Sequence, residues 1–154
     1  TDAGRVGRVT DECGADSVSH DEIYDVEADI FAPCALGGIV NDETIARLHV
    51  EIIAGGANNQ LLEARHGDAL EERGILYAPD YVANAGGVIY GCVELLNWER
   101  ERAYQQVDEI YDTVLKVFRT ARSENLPTYM AADRLAEERL HGAAGGADGA
   151  GAKL

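Results

Sequence analysis

Three apolar runs of strand length, spaced by amphipathic stretches of helix length, constrain this chain more than any other feature. Asp29–Pro33 (DIFAP), Val50–Ala54 (VEIIA) and Ile75–Tyr77 (ILY) lack the polar alternation of a half-solvated strand. Such runs suit strands buried on both faces, and parallel strands need a helix-length crossover between them. The crossovers are there. Asp42 and Glu43 open a helix that reaches Leu48, and residues 65–73 read as a second helix, closed by Gly74. The rhythm predicts an α/β fold, a parallel sheet with helices on both faces and right-handed connections.

On the N-terminal side, residues 5–13 have helical spacing through Val6, Val9 and Cys13 and stop at Gly14, which suits a helix C-terminus. Thr1–Asp2 reads as the tip of a truncated strand, Ala15–Val18 as a short strand, and Ser19 as the cap of a turn through Tyr24. After Pro79 the pattern changes. No proline occurs from Gly87 to Glu124, and Val107, Ile110, Tyr111, Val114 and Phe118 form one helical stripe. The helix breaks near Asn125–Pro127, and Thr128 starts a last one. Residues 142–152 are mostly Gly and Ala and are expected to be disordered.

Charge narrows the function classes. The chain has 13 basic against 28 acidic residues, a net charge of −15, which argues against a nucleic-acid partner because phosphate binding needs clustered Lys and Arg. Lys116 and Lys153 are the only lysines, and the acidic surplus is spread along the chain. Adaptation to high salt, where self-repulsion is screened, is one reading of that surplus. Cys13, Cys34 and Cys92 are odd in number and widely spaced, so they define neither a disulfide framework nor a metal knuckle. With no secretory signal and no membrane-length apolar run, a reduced cytoplasmic setting is expected. A chain of 154 residues can bury a core unaided.

In an open parallel sheet, ligands bind outside the carboxyl ends of the strands. The segments there are Pro33–Gly38 (PCALGG), Gly55–Gln60 (GGANNQ) and Ala78–Gly87 (APDYVANAGG). Glycine lets backbone approach a ligand closely, and an Asn amide offers both a donor and an acceptor, as a carboxamide such as nicotinamide requires. Each loop alone reads more readily as tight-turn chemistry; three on one edge weigh against that reading. The GxGxxG fingerprint is absent, and the partial spacing of Gly4 and Gly7 is chance. His20, His49, His66 and His141 show no metal-ligand spacing, and His66 with Asp68 reads as helix-start chemistry. Cys34 reads as a small buried residue rather than a nucleophile. The Glu99–Arg102 charge series reads as a solvated face.

The stretches Asp29–Asp42 (DIFAPCALGGIVND), Ile53–Leu61 (IAGGANNQL), His66–Asp68, Tyr77–Val88 (YAPDYVANAGGV), Arg100–Arg102 and Pro127–Arg139 (PTYMAADRLAEER) together resemble the amino-acid dehydrogenase superfamily (glutamate, leucine, phenylalanine and valine dehydrogenases), most nearly the leucine type, over about residues 1–140. The resemblance implies a truncated Rossmann-like sheet: a partial dinucleotide-binding domain in residues 1–88, bracing helices in 89–140 and a disordered tail in 141–154. It implies NAD as cofactor. Asp2 falls where the family binds the adenosine ribose, Cys34 and Ala35 in the loop along the ribose and phosphates, Asn59 near the nicotinamide ribose or carboxamide, and Asn84 in the segment that closes the site. Val88 and Gly91 fall in the substrate side-chain pocket. Tyr90, Gly91 and Cys92 depart from the leucine-type Asn-Val-Ala, so leucine itself is in question and a bulkier side chain fits.

The family's catalytic lysines and acid/base Asp belong to an N-terminal domain with no counterpart in these residues. The expected function is therefore the cofactor-binding part of an NAD-dependent L-amino-acid dehydrogenase, inactive alone, whose full enzyme is a homo-oligomer without metal, nucleic-acid or membrane partners. A stand-alone, non-catalytic nucleotide-binding or interaction module is the alternative, with another NAD enzyme built on the same sheet behind it.

Overall fold

A computed structural model describes residues 2–147 of the chain. Its centre is a parallel three-stranded sheet in the order β1 (Ile30–Phe31), β2 (Ile52–Ile53) and β3 (Leu76–Tyr77). Ile30, Ile52 and Leu76 stand in register, as do Phe31, Ile53 and Tyr77. The regular strands are shorter than the apolar runs, but main-chain bonds extend the pairing on both sides. Ala28 N–H donates to the His49 carbonyl at 3.2 Å, and Ala54 N–H to that of Phe31 at 3.1 Å. The expected parallel α/β architecture is present.

The helices before the sheet and in its crossovers are α1 (Ala3–Cys13), α2 (Asp42–Arg47) and α3 (Arg65–Glu72). α2 starts where it does because Asn41 caps it. The Asn41 Oδ1 accepts the N–H groups of Glu43 and Thr44, and the Thr44 Oγ1 accepts the Asn41 N–H in return. Val40, Ile45, Leu48, Ile53, Leu70, Ile75 and Tyr77 form the buried core between these elements. His66 is fully buried at the start of α3, where its Nδ1 accepts the Glu63 N–H at 2.9 Å. The helix-start reading of His66 holds through Glu63. Asp68 instead accepts the Tyr129 hydroxyl at 3.1 Å.

Beyond β3 the chain is helical: α4 (Asp80–Ala83), α5 (Gly86–Leu95), α6 (Arg100–Glu124) and α7 (Thr128–Ala147). Asn125 ends α6 in the left-handed region at φ 54°, which its short polar side chain tolerates. A second core of Val117, Ala121, Ala131, Ala132 and Leu135 joins α6 to α7. α7 also seats on α3, where Gly67 lies flat against the Tyr129 ring.

Four expectations change. Asp2 caps α1 rather than ending a strand, its Oδ1 accepting the Arg5 N–H at 3.0 Å; Thr1 lies outside the described residues. Ala15–Val18 forms no strand: all four residues are exposed, with no apolar face to bury. The expected stripe of α6 is only half buried. Its tightest contacts are Ala103, Val117 and Ala121, small residues that admit a close neighbour, while Val107 and Tyr111 stay exposed. The tail expected to be disordered from 141 continues α7 as far as Ala147, in keeping with the helix preference of Ala; residues 148–154 lie outside the described residues.

Candidate functional site

The three loops expected to act together do meet at the carboxyl edge of the sheet, and main chain holds them there. From the β1 loop, Gly38 N–H donates to the Asn59 carbonyl at 2.7 Å and Val40 N–H to that of Gln60 at 2.9 Å. From the β2 loop, Ala57 N–H donates to the Pro33 carbonyl at 2.8 Å. Two glycines make this approach possible. A Cβ on Gly37 would stand 2.5 Å from the Asn58 carbonyl oxygen, and one on Gly55 would stand 2.2 Å from that of Pro33. Asn59 takes a left-handed φ of 52° in the same turn.

Side chains complete the edge. The Asn84 amide closes α4 and donates through Nδ2 to the Asn58 Oδ1 at 2.7 Å, with the Gly56 and Ala57 carbonyls at 3.3 and 3.4 Å. The two main-chain carbonyls assign nitrogen to the end of the Asn84 amide that faces them, and that nitrogen in turn assigns oxygen to the facing atom of Asn58. Among the described residues, the Asn58 NH2, a donor, and the Asn84 Oδ1, an acceptor, take no hydrogen-bond partner. Such a pair complements a primary carboxamide. Beneath it, buried Gln60 donates through Nε2 to the Gly55 and Ala57 carbonyls at 2.9 and 3.0 Å, and its main-chain N–H donates to the buried Asp80 carboxylate at 2.6 Å.

Cys34 and Ala35 are exposed on the β1 loop, so Cys34 is not the buried residue expected; the Pro33 carbonyl turns inward to the β2 loop, and Cys34 Sγ lies 3.8 Å from where a Gly56 Cβ would stand. Asn59 is exposed beside Asn58. Val88 is open on α5, with Gly91 one turn further along the same face. The described bonds of Asp2 all lie within α1, which buries no residue, so the structure does not bring Asp2 to the loops by any described hydrogen bond. Asn58, Gln60 and Asp80 were missed as site residues. Asn58 and Gln60 stood in the GGANNQ run, but nothing in sequence marks Asp80 as buried.

The electrostatics of the edge set it apart from the rest of the molecule. Residues 32–41, 54–62 and 81–93 contain no Asp, Glu, Lys, Arg or His, although the chain has 28 acidic residues. Asp80, which precedes the third stretch, is turned inward onto Gln60, while Asp42 and Glu63, which follow the first two, are both paired with Arg65. Burial, and then the Asp80 charge, pushes the Tyr77 phenol well above its ordinary range, so it stays protonated. Tyr81 is likewise pushed up, by burial and then by its hydrogen bond to Asp133. The edge is built of uncharged hydrogen-bonding groups that can bind and orient a ligand. Among the described residues no cluster of His, Cys, Asp and Glu could hold a metal ion, and no helix is long and apolar enough to cross a membrane.

The sequence profile of the glutamate/leucine/phenylalanine/valine dehydrogenases matches residues 2–145. The chain belongs to this dehydrogenase family. It is 62% identical over 133 residues to the leucine dehydrogenase of Thermoactinomyces intermedius, covering 86% of this chain and 36% of that protein. To the phenylalanine dehydrogenase of Caldalkalibacillus thermarum it is 49% identical over 124 residues, covering 80% and 34%. The crystal structure of L-tryptophan dehydrogenase from Nostoc punctiforme superimposes with a TM-score of 0.88 at 47% identity, over 92% of this chain and 43% of that one. This family member thus spans about a third of the length of the curated relatives it matches. Its similarity to leucine dehydrogenases agrees with the resemblance drawn from the loop sequences.

Proposed function

We infer that this chain is the cofactor-binding part of an NAD-dependent L-amino-acid dehydrogenase that interconverts a branched-chain or other apolar amino acid with its 2-oxo acid and ammonia. The observation that carries the reading is the Asn58–Asn84 pair, one donor and one acceptor held rigidly on an uncharged edge of a strongly acidic chain. An anionic dinucleotide would meet repulsion over most of such a surface; this edge is where it would not. The residues present therefore fit the cofactor. Asn84, Asn58 and Asn59 would hold the nicotinamide end, Cys34 and Ala35 would flank the ribose and phosphates, and Asp2 would offer a ribose hydroxyl the oxygen its cap leaves free.

When bound, NAD supplies the acceptor for hydride from the substrate Cα. This chain's own task is to fix the plane of that acceptor and to wall one side of the substrate pocket with Val88 and Gly91. Gly91 widens the pocket, which supports a substrate side chain larger than that of leucine, while Tyr90 beside it fills part of the space. Residues 1–88 are the partial nucleotide-binding domain and 89–140 the helices that brace it. The catalytic lysines belong to a portion of the enzyme that these residues do not include. The open apolar side chains of α5 and α6, Val88, Leu95 and Tyr111 among them, support packing of that portion and of further subunits here, in a cytoplasmic oligomer.

Titration of the purified chain with NADH, followed by nicotinamide fluorescence, tests the reading. Saturable binding is expected, weakened about tenfold by Asn84→Ala, which removes hydrogen bonds in a desolvated contact. L-Amino acids with NAD should yield no NADH with this chain alone. Absence of NADH binding, or turnover without any added domain, would each overturn it.

A further inference from the structure

We propose that Asp80 is a positioning residue: its buried carboxylate latches the β2 loop to α4 and thereby sets where Asn58 and Asn59 stand. The proposal rests on the cofactor-binding reading of this edge, to which it adds a residue that touches no cofactor.

Asp80 is only 6% exposed and opens α4, a single turn. Acids at helix starts ordinarily reach into water, and one turn offers little dipole to hold a buried charge. Packing alone would be met by an apolar side chain, since burying a carboxylate is costly unless donors surround it. The donor here is the main-chain N–H of Gln60, at 2.6 Å, a short charge-assisted bond between segments 20 residues apart. The Tyr77 hydroxyl stands beside Asp80, accepting its main-chain N–H at 3.3 Å, and is held protonated first by burial and then by the Asp80 charge.

Gln60 passes the constraint on. It is fully buried, and its amide holds the Gly55 and Ala57 carbonyls, so fixing Gln60 fixes the turn that begins at Gly55. Four residues after Asp80, Asn84 grips Asn58 from the same turn of helix. The segment from Gly55 to Gln60 is thus held at two points by one rigid element. Without Asp80, the β1 loop would still pair with the segment through main chain, but Asn84 alone would tie it to α4, and the buried Gln60 N–H would be left without its acceptor. A loop tied to α4 at one point places its amides against that helix less sharply, and hydrogen bonds to a carboxamide tolerate little misplacement.

The test uses the 15N-labelled full chain, with NADH as the probe. Asp80→Asn keeps an acceptor for Gln60, so NADH affinity should fall less than threefold, while the Gln60 amide proton moves upfield as a charged acceptor becomes neutral. Asp80→Ala should weaken NADH about tenfold and shift the Asn58, Asn59 and Asn84 resonances, leaving those of Val117 and Leu135 between α6 and α7 in place. Wild-type affinity with unmoved Asn58 and Asn59 signals in Asp80→Ala would overturn the latch. So would an Asp80→Asn variant as weak as Asp80→Ala, since charge rather than position would then be at work. Should Asp80→Ala not fold, the Gln60 amide in Asp80→Asn decides, and an unmoved resonance defeats the proposal. Failure of the wild-type chain to bind NADH would remove the cofactor reading and leave the latch to be judged on the resonances alone.

Discussion

Among the described glycines, an added methyl group meets its closest contact at Gly55. Its Cβ would meet the Pro33 carbonyl oxygen at 2.2 Å and the Pro33 nitrogen at 2.5 Å, both main-chain atoms that cannot swing aside. Gly55→Ala is expected to destabilise the fold by about 3 kcal/mol, the upper range for overpacking, read as a lowered urea midpoint. Gly86→Ala, where a Cβ meets nothing within 4 Å, is the matched control and should leave the midpoint nearly unchanged. At this scale the sequence was a partial guide. Glycine and asparagine after a strand mark an edge where backbone comes close, and Asn59 and Asn84 stand out there for that reason. Asp80 did not, because an aspartate at a helix start has the same one-letter pattern whether it faces water or a buried amide. Cys34 was misjudged for a related reason: sulfur chemistry alone does not say which way a loop turns.

Between elements, the clearest tie is ionic. Arg65 at the start of α3 donates to both oxygens of Asp42 at the start of α2, each at 2.6 Å. Its hydrogen bonds, opposed by some desolvation, hold the Asp42 carboxyl below its ordinary range. A carboxyl depressed in the folded state contributes stability above its unfolded pKa, near 4, and loses it as pH falls through the folded value. Arg65→Ala should therefore lower the urea midpoint at neutral pH and flatten its decline below about pH 4. Unfolding curves at three pH values would check this, and parallel declines in the two proteins would refute it. The crossover helices and strands were legible because each buries an apolar run. Ala15–Val18 and Asp2 were not, since a strand needs neighbours to pair with, and local residues cannot say whether they are present. The face of α6 misled for a different reason. Helical spacing identifies a stripe, but alanine at 103 and 121 decides how near the next helix comes, and small residues leave little trace in a hydrophobic pattern.

At the scale of the whole molecule, two buried clusters are joined by short connections, and the surface carries a net charge of −15. Self-repulsion of that size opposes compactness and is screened by salt. Thermal midpoints should rise as KCl is increased from about 0.05 to about 1 M; a maximum at low ionic strength would contradict the expectation. The same acidity makes the uncharged sheet edge conspicuous, and there a consequence of the glycine contacts emerges. Main-chain carbonyl and amide groups join the loops to one another, and the side chains that assist them, Asp80, Gln60 and Asn84, belong to the edge itself. The α5 wall has no such constraint: Val88, Tyr90 and Gly91 touch solvent, not the lattice of loops. Variation can therefore accumulate on that wall while the edge stays still. On the proposed reading, substrate choice would change along α5 without disturbing the edge that takes the cofactor, and relatives named for leucine, phenylalanine and tryptophan each match this stretch of chain.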